Sequence, residues 1–178
     1  MTFRIRMVPH DPTWEDEFVR ESARLRSALG ATVVRIHHIG STAVPGIYAK
    51  PVIDIVLEVR SLDDLDADPA AMESLGYESL GEFGIPHRRF YRKDDQAGVR
   101  THHVHAFAEG DPNVERHLAF RDYLIAHPDE GVLYSEIKRE AARSFPEDIK
   151  SYMAAKGPFV KDREALALAW SRARRTGV

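Results

Sequence analysis

Asp54 lies in the apolar run Val52, Ile53, Ile55, Val56 and Leu57. An acid in such a run is costly unless it is paired, metal-bound or at an open strand end. Just ahead of it, Gly40, Ser41, Thr42, Pro45 and Gly46 read as a turn. Gly40 lets the backbone reverse without a Cβ clash, and Ser41 and Thr42 suit the start of a short helix. Free N–H groups at such a start attract a phosphate or carboxylate. An anion cradle joined by a short loop to a buried carboxylate suits phosphoryl or nucleotidyl chemistry. Asp54 is expected to bind a divalent cation, its oxygen ligands suiting magnesium; the bland alternative is a strand-end acid salt-bridged to an arginine.

Two-metal chemistry at phosphate needs two or three carboxylates. Glu58 shares the strand face of Asp54 but lies about 13 Å along it, an outlying acid. Thr101-His102-His103-Val104-His105 offers other groups. Alternation puts His103 and His105 on one face, about 7 Å apart along the backbone. They could share a transition metal or act as acid or base, or one could be a core histidine bonded to a carbonyl, the reading adopted for His102. Joined to Asp54, two nitrogens and one oxygen favour zinc, manganese, iron or nickel over magnesium.

Basic and aromatic groups complete the candidates. Lys50 precedes the Asp54 strand and is placed to reach an anion at Ser41. Arg88, Arg89, Arg92, Lys93 and Arg100 gather on a hairpin, where they would draw a phosphate-bearing ligand or simply protect an exposed edge strand. Alternation sets Arg89 and Tyr91 against Arg88, Phe90 and Arg92. Tyr134 and Lys138 present a ring and an ammonium on one helical face. They suit stacking a base and touching a phosphate, or a partly buried ring beside a snorkelling lysine.

The elements that must position these groups follow from periodicity and breakers. Phe3 to Val8 reads as a β-prone arm. Thr13 to Leu29 reads as a helix stopped by Gly30, its core face Trp14, Phe18, Leu25 and Leu29, with Glu15, Asp16, Glu17 and Glu21 at its N-terminal end. Thr32 to His38 and Pro51 to Val59 are strands, Ser61 to Gly76 a helix with a solvated acidic run, and Tyr77 to Leu80 a short strand. A hairpin carries His87 to Lys93 and Val99 to Ala108. Helices are expected over Pro112 to His127, Asp129 to Phe145, Pro146 to Lys156 and Asp162 to Arg175, bounded by Pro128, Pro146 and Pro158. The fold class is α+β.

The runs His38-Ile39-Gly40-Ser41-Thr42-Ala43-Val44-Pro45-Gly46 and Ala49-Lys50-Pro51-Val52-Ile53-Asp54-Ile55 resemble the GrpB family, within the nucleotidyltransferase superfamily and its polymerase-beta type of fold. The likeness extends over nearly the whole chain. The superfamily pattern is a Gly-Ser turn, then roughly ten residues, then an acid, an apolar residue and a second acid on a strand. Here the second acid should fall at Val56 and is absent. The resemblance implies a third acid from a strand beside that of Asp54, the place the His103–His105 strand would take, so that the imidazoles replace missing carboxylates. It also implies a ligand role for Arg89, since the family has basic residues before its aromatic strand, and a Tyr and a Lys at 134 and 138. A mixed sheet of about five strands packed by helices is implied, as one domain with an α/β core over 1–108 and a helical tail over 109–178.

For function, the resemblance implies metal-dependent nucleotidyl transfer to an unknown small acceptor. A nucleoside triphosphate would be the substrate, its phosphates at Gly40-Ser41. Magnesium, manganese or zinc would be held by Asp54, His103 and His105. A hydroxyl or amine would attack the α-phosphate and release pyrophosphate. Ser41 binds phosphate in this scheme, as nothing local makes it a nucleophile. One alternative is a non-catalytic module binding a nucleotide or phosphorylated small molecule, favoured by the missing acid at Val56; another is a metal-dependent hydrolase. GrpB-like domains also occur joined to dephospho-coenzyme A kinase, which hints at coenzyme A or nucleotide metabolism, but this chain has no P-loop.

Composition bounds these readings. At 178 residues, 43% hydrophobic and 30% charged, the chain can bury a core as one domain. A net charge of -3 gives no global basic excess for duplex nucleic acid. With no cysteine, thiolate chemistry and cysteine-ligated zinc are excluded. No signal peptide and no membrane span are expected, and the cytoplasm is the expected location. Oligomeric state is not legible.

Overall fold

The computed structural model describes residues 4–176. Its centre is a five-stranded mixed sheet in the order β1-β2-β5-β4-β3. The strands are β1 (Val33–Ile39), β2 (Ile53–Val59), β3 (Tyr77–Ser79), β4 (Arg89–Asp94) and β5 (Arg100–Ala108). β2 and β5 run parallel, and the other pairings are antiparallel. The fold is α+β, with helices on both sides of the sheet.

β2 explains why this sheet forms here. A strand covered on both faces must be apolar nearly throughout, and Ile53, Ile55, Val56 and Leu57 are at most 1% exposed. Each such side chain contributes roughly 1.5–3 kcal/mol when buried. Ile53, Ile55, Leu57 and Val59 point to one face. They pack there with Trp14 and Leu25 of α1 (Thr13–Leu29), Leu65 of α2 (Leu62–Ala67) and Met72 of α3 (Pro69–Ser74). Val56, on the opposite face with Asp54 and Glu58, packs with Ile39, Phe107 and Val114 of α4 (Pro112–Ala126). A third cluster joins Val44 and Ile47, just after the Gly-Ser turn, to Leu124 of α4 and Tyr134 of α5 (Pro128–Ser144). Phe159 and Val160 of α6 (Ile149–Thr176) pack against it. The turn is thereby fixed to the helical tail.

Four sequence expectations change. The helix expected over Ser61 to Gly76 is two helices, because Asp68 precedes Pro69 and takes φ -128°, outside the helical region. The two helices expected around Pro158 are one, α6, with Pro158 inside it. Proline removes one helical hydrogen bond, yet packing holds both sides: Tyr152 lies with Ile5 and Ala141, and Phe159 stacks on Tyr134 with centroids 5.5 Å apart. Glu21, expected with the acids at the N-terminal end of α1, sits further along the helix at 2% exposure and accepts hydrogen bonds from Tyr77 Oη (2.9 Å) and Lys93 Nζ (2.8 Å). β4 is not an edge strand, since β3 pairs outside it. Of the N-terminal arm, Val8 forms a bridge with Ala49, and Phe3 lies outside the described residues. Among the described residues no helix is long and apolar enough to cross a membrane.

Candidate functional site

Gly40 ends β1 with φ +71°, a conformation that favours glycine. A Cβ there would lie 2.6 Å from Asp54 Oδ2, so the turn packs directly on the carboxylate. Only one 3-10 turn follows, Ser41–Ala43. Thr42 is 2% exposed and belongs to a clamp rather than to a ligand site. With His38 neutral, its Nδ1–H donates to Glu15 (3.3 Å) and its Nε2 accepts from the Thr42 hydroxyl (2.9 Å). Burial holds His38 below the usual histidine range, partly offset by Glu15. The expectation that Thr42 helps bind a ligand is corrected: its hydroxyl faces the core.

The register of the parallel pair puts Asp54 opposite His103 and Val56 opposite His105. Both imidazoles share the Asp54 face. His103 Nδ1 lies 3.0 Å from Asp54 Oδ1, and His105 Nε2 lies 3.8 Å from the same oxygen. The far nitrogens meet arginines: Arg100 Nη1 is 3.3 Å from His103 Nε2, and Arg88 Nη1 is 3.2 Å from His105 Nδ1. A guanidinium only donates, so those nitrogens accept. The ring hydrogens therefore sit on the nitrogens that face Asp54. Burial pushes the Asp54 carboxyl up, but His103 and His105 outweigh it and hold it far below the usual carboxylate range. Burial likewise pushes His105 down, against the pull of Asp54.

Lysines close the other side. Lys138 is 2% exposed, and its Nζ donates to Ser41 Oγ and to the Tyr48 carbonyl, both at 2.6 Å. Its ammonium also lies 4.5 Å from the Tyr134 ring centroid. Lys50 and Lys156 flank the Tyr152 ring at 5.9 and 5.4 Å. Burial lowers Lys50 and, more strongly, Lys138, and the like charge of Lys156 adds to both. Lys156 is burdened by burial too, but Tyr134, Tyr152 and Asp54 carry it above the usual range. Among the described residues none of these three lysines is ion-paired with a carboxylate.

A profile described as GrpB protein matches residues 4–165. The chain belongs to the GrpB family. It is 38% identical over 171 residues to UPF0157 protein YqkA of Bacillus subtilis, covering 96% of this chain and 49% of that protein. It is 33% identical over 198 residues to a dephospho-CoA kinase of Mycolicibacterium paratuberculosis, covering 97% of this chain and 48% of the kinase. The chain thus spans about half the length of these two relatives. The crystal structure of conserved protein GrpB from Enterococcus faecalis aligns with a TM-score of 0.88 at 36% identity, over 93% of this chain and 99% of that one. The Cid1 poly(U) polymerase, in its MgGTP-bound structure, aligns at 0.54 and 10% identity, over 76% of this chain and 44% of that one. The GrpB fold is therefore nucleotidyltransferase-like.

That fold implies a metal, and the GrpB site does not fit one as arranged. Where the second acid would stand, Val56 is fully buried in an apolar cluster. A ring nitrogen bearing hydrogen has no lone pair to give a metal, and the nitrogens facing Asp54 are of that kind. Among the described residues no group of three or more His, Asp or Glu is arranged to hold an ion. Glu58 is engaged elsewhere: it is 4% exposed and 2.6 Å from His37 Nε2. His102 lies on the other sheet face, its Nδ1 2.9 Å from Thr101 Oγ1 and its Nε2 buried without a partner.

Two more expectations are corrected. Arg89 lies on the face away from Asp54 and grips Asp66 with two nitrogens, Nε to Oδ1 at 2.8 Å and Nη2 to Oδ2 at 2.6 Å. Tyr134 is 6% exposed and stacked on Phe159, so its ring is core and not a platform for a base. The inward arginine is Arg88, 5% exposed, which also donates from Nη2 to the Phe83 carbonyl (2.6 Å). Alternation placed Arg88 opposite Arg89 but did not say which face held Asp54. Lys156 had no spacing signal at all. Two surface hollows of about 500 and 530 Å³ lie along α4 and α6; neither is lined by Ser41, Asp54 or the lysines.

Proposed function

We propose that this GrpB protein binds a nucleotide or another phosphorylated small molecule beside Ser41, Lys50, Lys156 and Asp54. One observation carries this reading: three lysines with no carboxylate partner among the described residues gather around the Gly-Ser turn and the Tyr152 ring, within the field of Asp54. Buried cations without counter-ions are costly, and a phosphate group would supply the missing charge. Lys138, its donors already committed to Ser41 and Tyr48, fixes the turn and adds charge. The dephospho-CoA kinase relative supports a ligand from coenzyme A or nucleotide metabolism.

Nucleotidyl transfer is the second reading, favoured by the fold and by the contact between Gly40 and Asp54. Two features weigh against it. Val56 replaces an acid, and an Asp54 carboxyl held so far below its usual range is a weak base. Isothermal titration with each of the four ribonucleoside triphosphates, alongside pyrophosphate and orthophosphate assays, separates the readings. Heat of binding without turnover is the expected result. Pyrophosphate release would favour a transferase, orthophosphate release a hydrolase, and no binding by any nucleotide or phosphorylated coenzyme precursor would sink the proposal.

A further inference from the structure

We propose that the site holds a chain of two or more linked phosphates without a divalent cation, Lys50 and Lys156 standing where a metal would otherwise neutralise the charge. This rests on the phosphate-binding reading above and adds how the charge is met.

A metal bridging phosphates must itself be held, and the groups that would hold it point elsewhere. Val56 offers methyl groups, and His103 and His105 turn N–H toward Asp54 because Arg100 and Arg88 occupy their other nitrogens. Asp54 alone is left, and a lone carboxylate among lysines is a poor cation site. An arriving divalent ion would meet the fields of Lys50, Lys138 and Lys156, each close enough to Asp54 for their charges to interact. The same fields favour an anion.

The spread of donors sets the size of that anion. Lys50, Lys138 and Lys156 lack carboxylate partners among the described residues, and each feels the charge of Asp54. Arg88 is spent on His105 and on the Glu82 and Phe83 carbonyls. Lys50 and Lys156 lie on the same ring, that of Tyr152, and neither is committed to a hydrogen bond with a carboxylate or carbonyl. They are free to turn to separate phosphates, while Ser41 is held by Lys138 at 2.6 Å. The terminal chain of a nucleotide and an inorganic polyphosphate share this chemistry.

The test is isothermal titration of the intact chain with tripolyphosphate, ATP and orthophosphate, first in excess EDTA and then in magnesium. Tripolyphosphate is expected to bind in EDTA, orthophosphate at least tenfold more weakly, and added magnesium to weaken binding by competing for the phosphates. Equal binding of ATP would assign the site to a nucleotide's phosphate chain; failure of ATP alone would assign it to inorganic polyphosphate; both support the inference. Lys50→Gln and Lys156→Gln, each checked for an unchanged circular dichroism spectrum, should each weaken tripolyphosphate about tenfold, as the loss of one charge-assisted contact does. Binding only in magnesium would overturn this inference and leave the phosphate-binding reading standing. Orthophosphate matching tripolyphosphate, or folded lysine variants that bind unchanged, would also overturn it. No binding in either buffer would overturn both.

Discussion

At the scale of single residues, Gly40 and Asp54 answer different questions. Gly40→Ala must carry a Cβ at φ +71°, 2.6 Å from Asp54 Oδ2 and 3.0 Å from Asp54 Cβ, and a Cβ cannot swing aside as a side-chain end can. A loss of more than about 2 kcal/mol in urea unfolding is expected. Full stability in that variant would mean the turn does not press on the acid. Asp54→Asn tests the site's charge. If the site works without metal, removing a negative charge beside bound phosphates should tighten tripolyphosphate; loss of binding would mean the carboxylate itself holds a cation. Lys50 and Lys138 add a third check. Burial and like charge hold both below the usual lysine range. An anion favours their charged forms, so binding should take up protons. Titrations from pH 8 to about 10.5 in buffers of different ionisation enthalpy would show uptake that grows with pH, and a proton count of zero throughout would contradict it.

At the scale of elements, β2 and the tail show what the sequence could and could not reveal. An apolar run broken by one acid was enough to find β2, and alternation was enough to put His103 and His105 on one face. Helix ends were legible where glycine or proline met a change in pattern, as at Gly30 and Pro128. Pro158 misled because a local breaker was outweighed by distant packing on Tyr134 and Ala141, which no local pattern reports. Lys50 and Lys138 were legible as candidates, but the bond between Lys138 and the turn was not: Lys138 meets Ser41 across 97 residues, and nothing in the spacing of either announces the other. β2 also carries a prediction. Val56→Asp restores the acid the superfamily pattern would have, but inserts it among Ile39, Phe107 and Val114. Its neighbours in register, His37 and His105, are engaged with Glu58 and Arg88. Stability should fall by about 2–4 kcal/mol in urea unfolding. A variant as stable as the parent that gains manganese binding would show that the site lacked only one carboxylate.

At the scale of the whole molecule, polar groups on the inner faces tie distant parts of the chain together, and their protonation sets how the fold meets acid. His38 links α1 to the Gly-Ser turn, facing Glu15, Thr42 and the Phe18 ring. His117 on α4 faces His105 and Phe107 of β5, with Arg116 beside it. Burial holds both below the usual histidine range; Glu15 opposes this at His38, whereas His105 and Arg116 reinforce it at His117. In the unfolded chain each takes up a proton near pH 6.5, while in the folded chain each resists until lower pH. The unfolded state then binds more protons, so stability falls as pH drops below about 6.5. Lys138, also lowered, acts in the same direction. Asp54 is lowered as a carboxylate, so its contribution persists down to about pH 4 and is lost only below that. Between pH 7.5 and 5.5 the two histidines together should remove about 1–3 kcal/mol, read by urea unfolding at each pH. His117→Gln, which cannot titrate, should flatten the measured slope in part, the remainder belonging to His38 and to His102 and His105, which burial also lowers. A stability that stays level across the interval, or a slope that the substitution leaves untouched, would show that these imidazoles are not held neutral inside the fold.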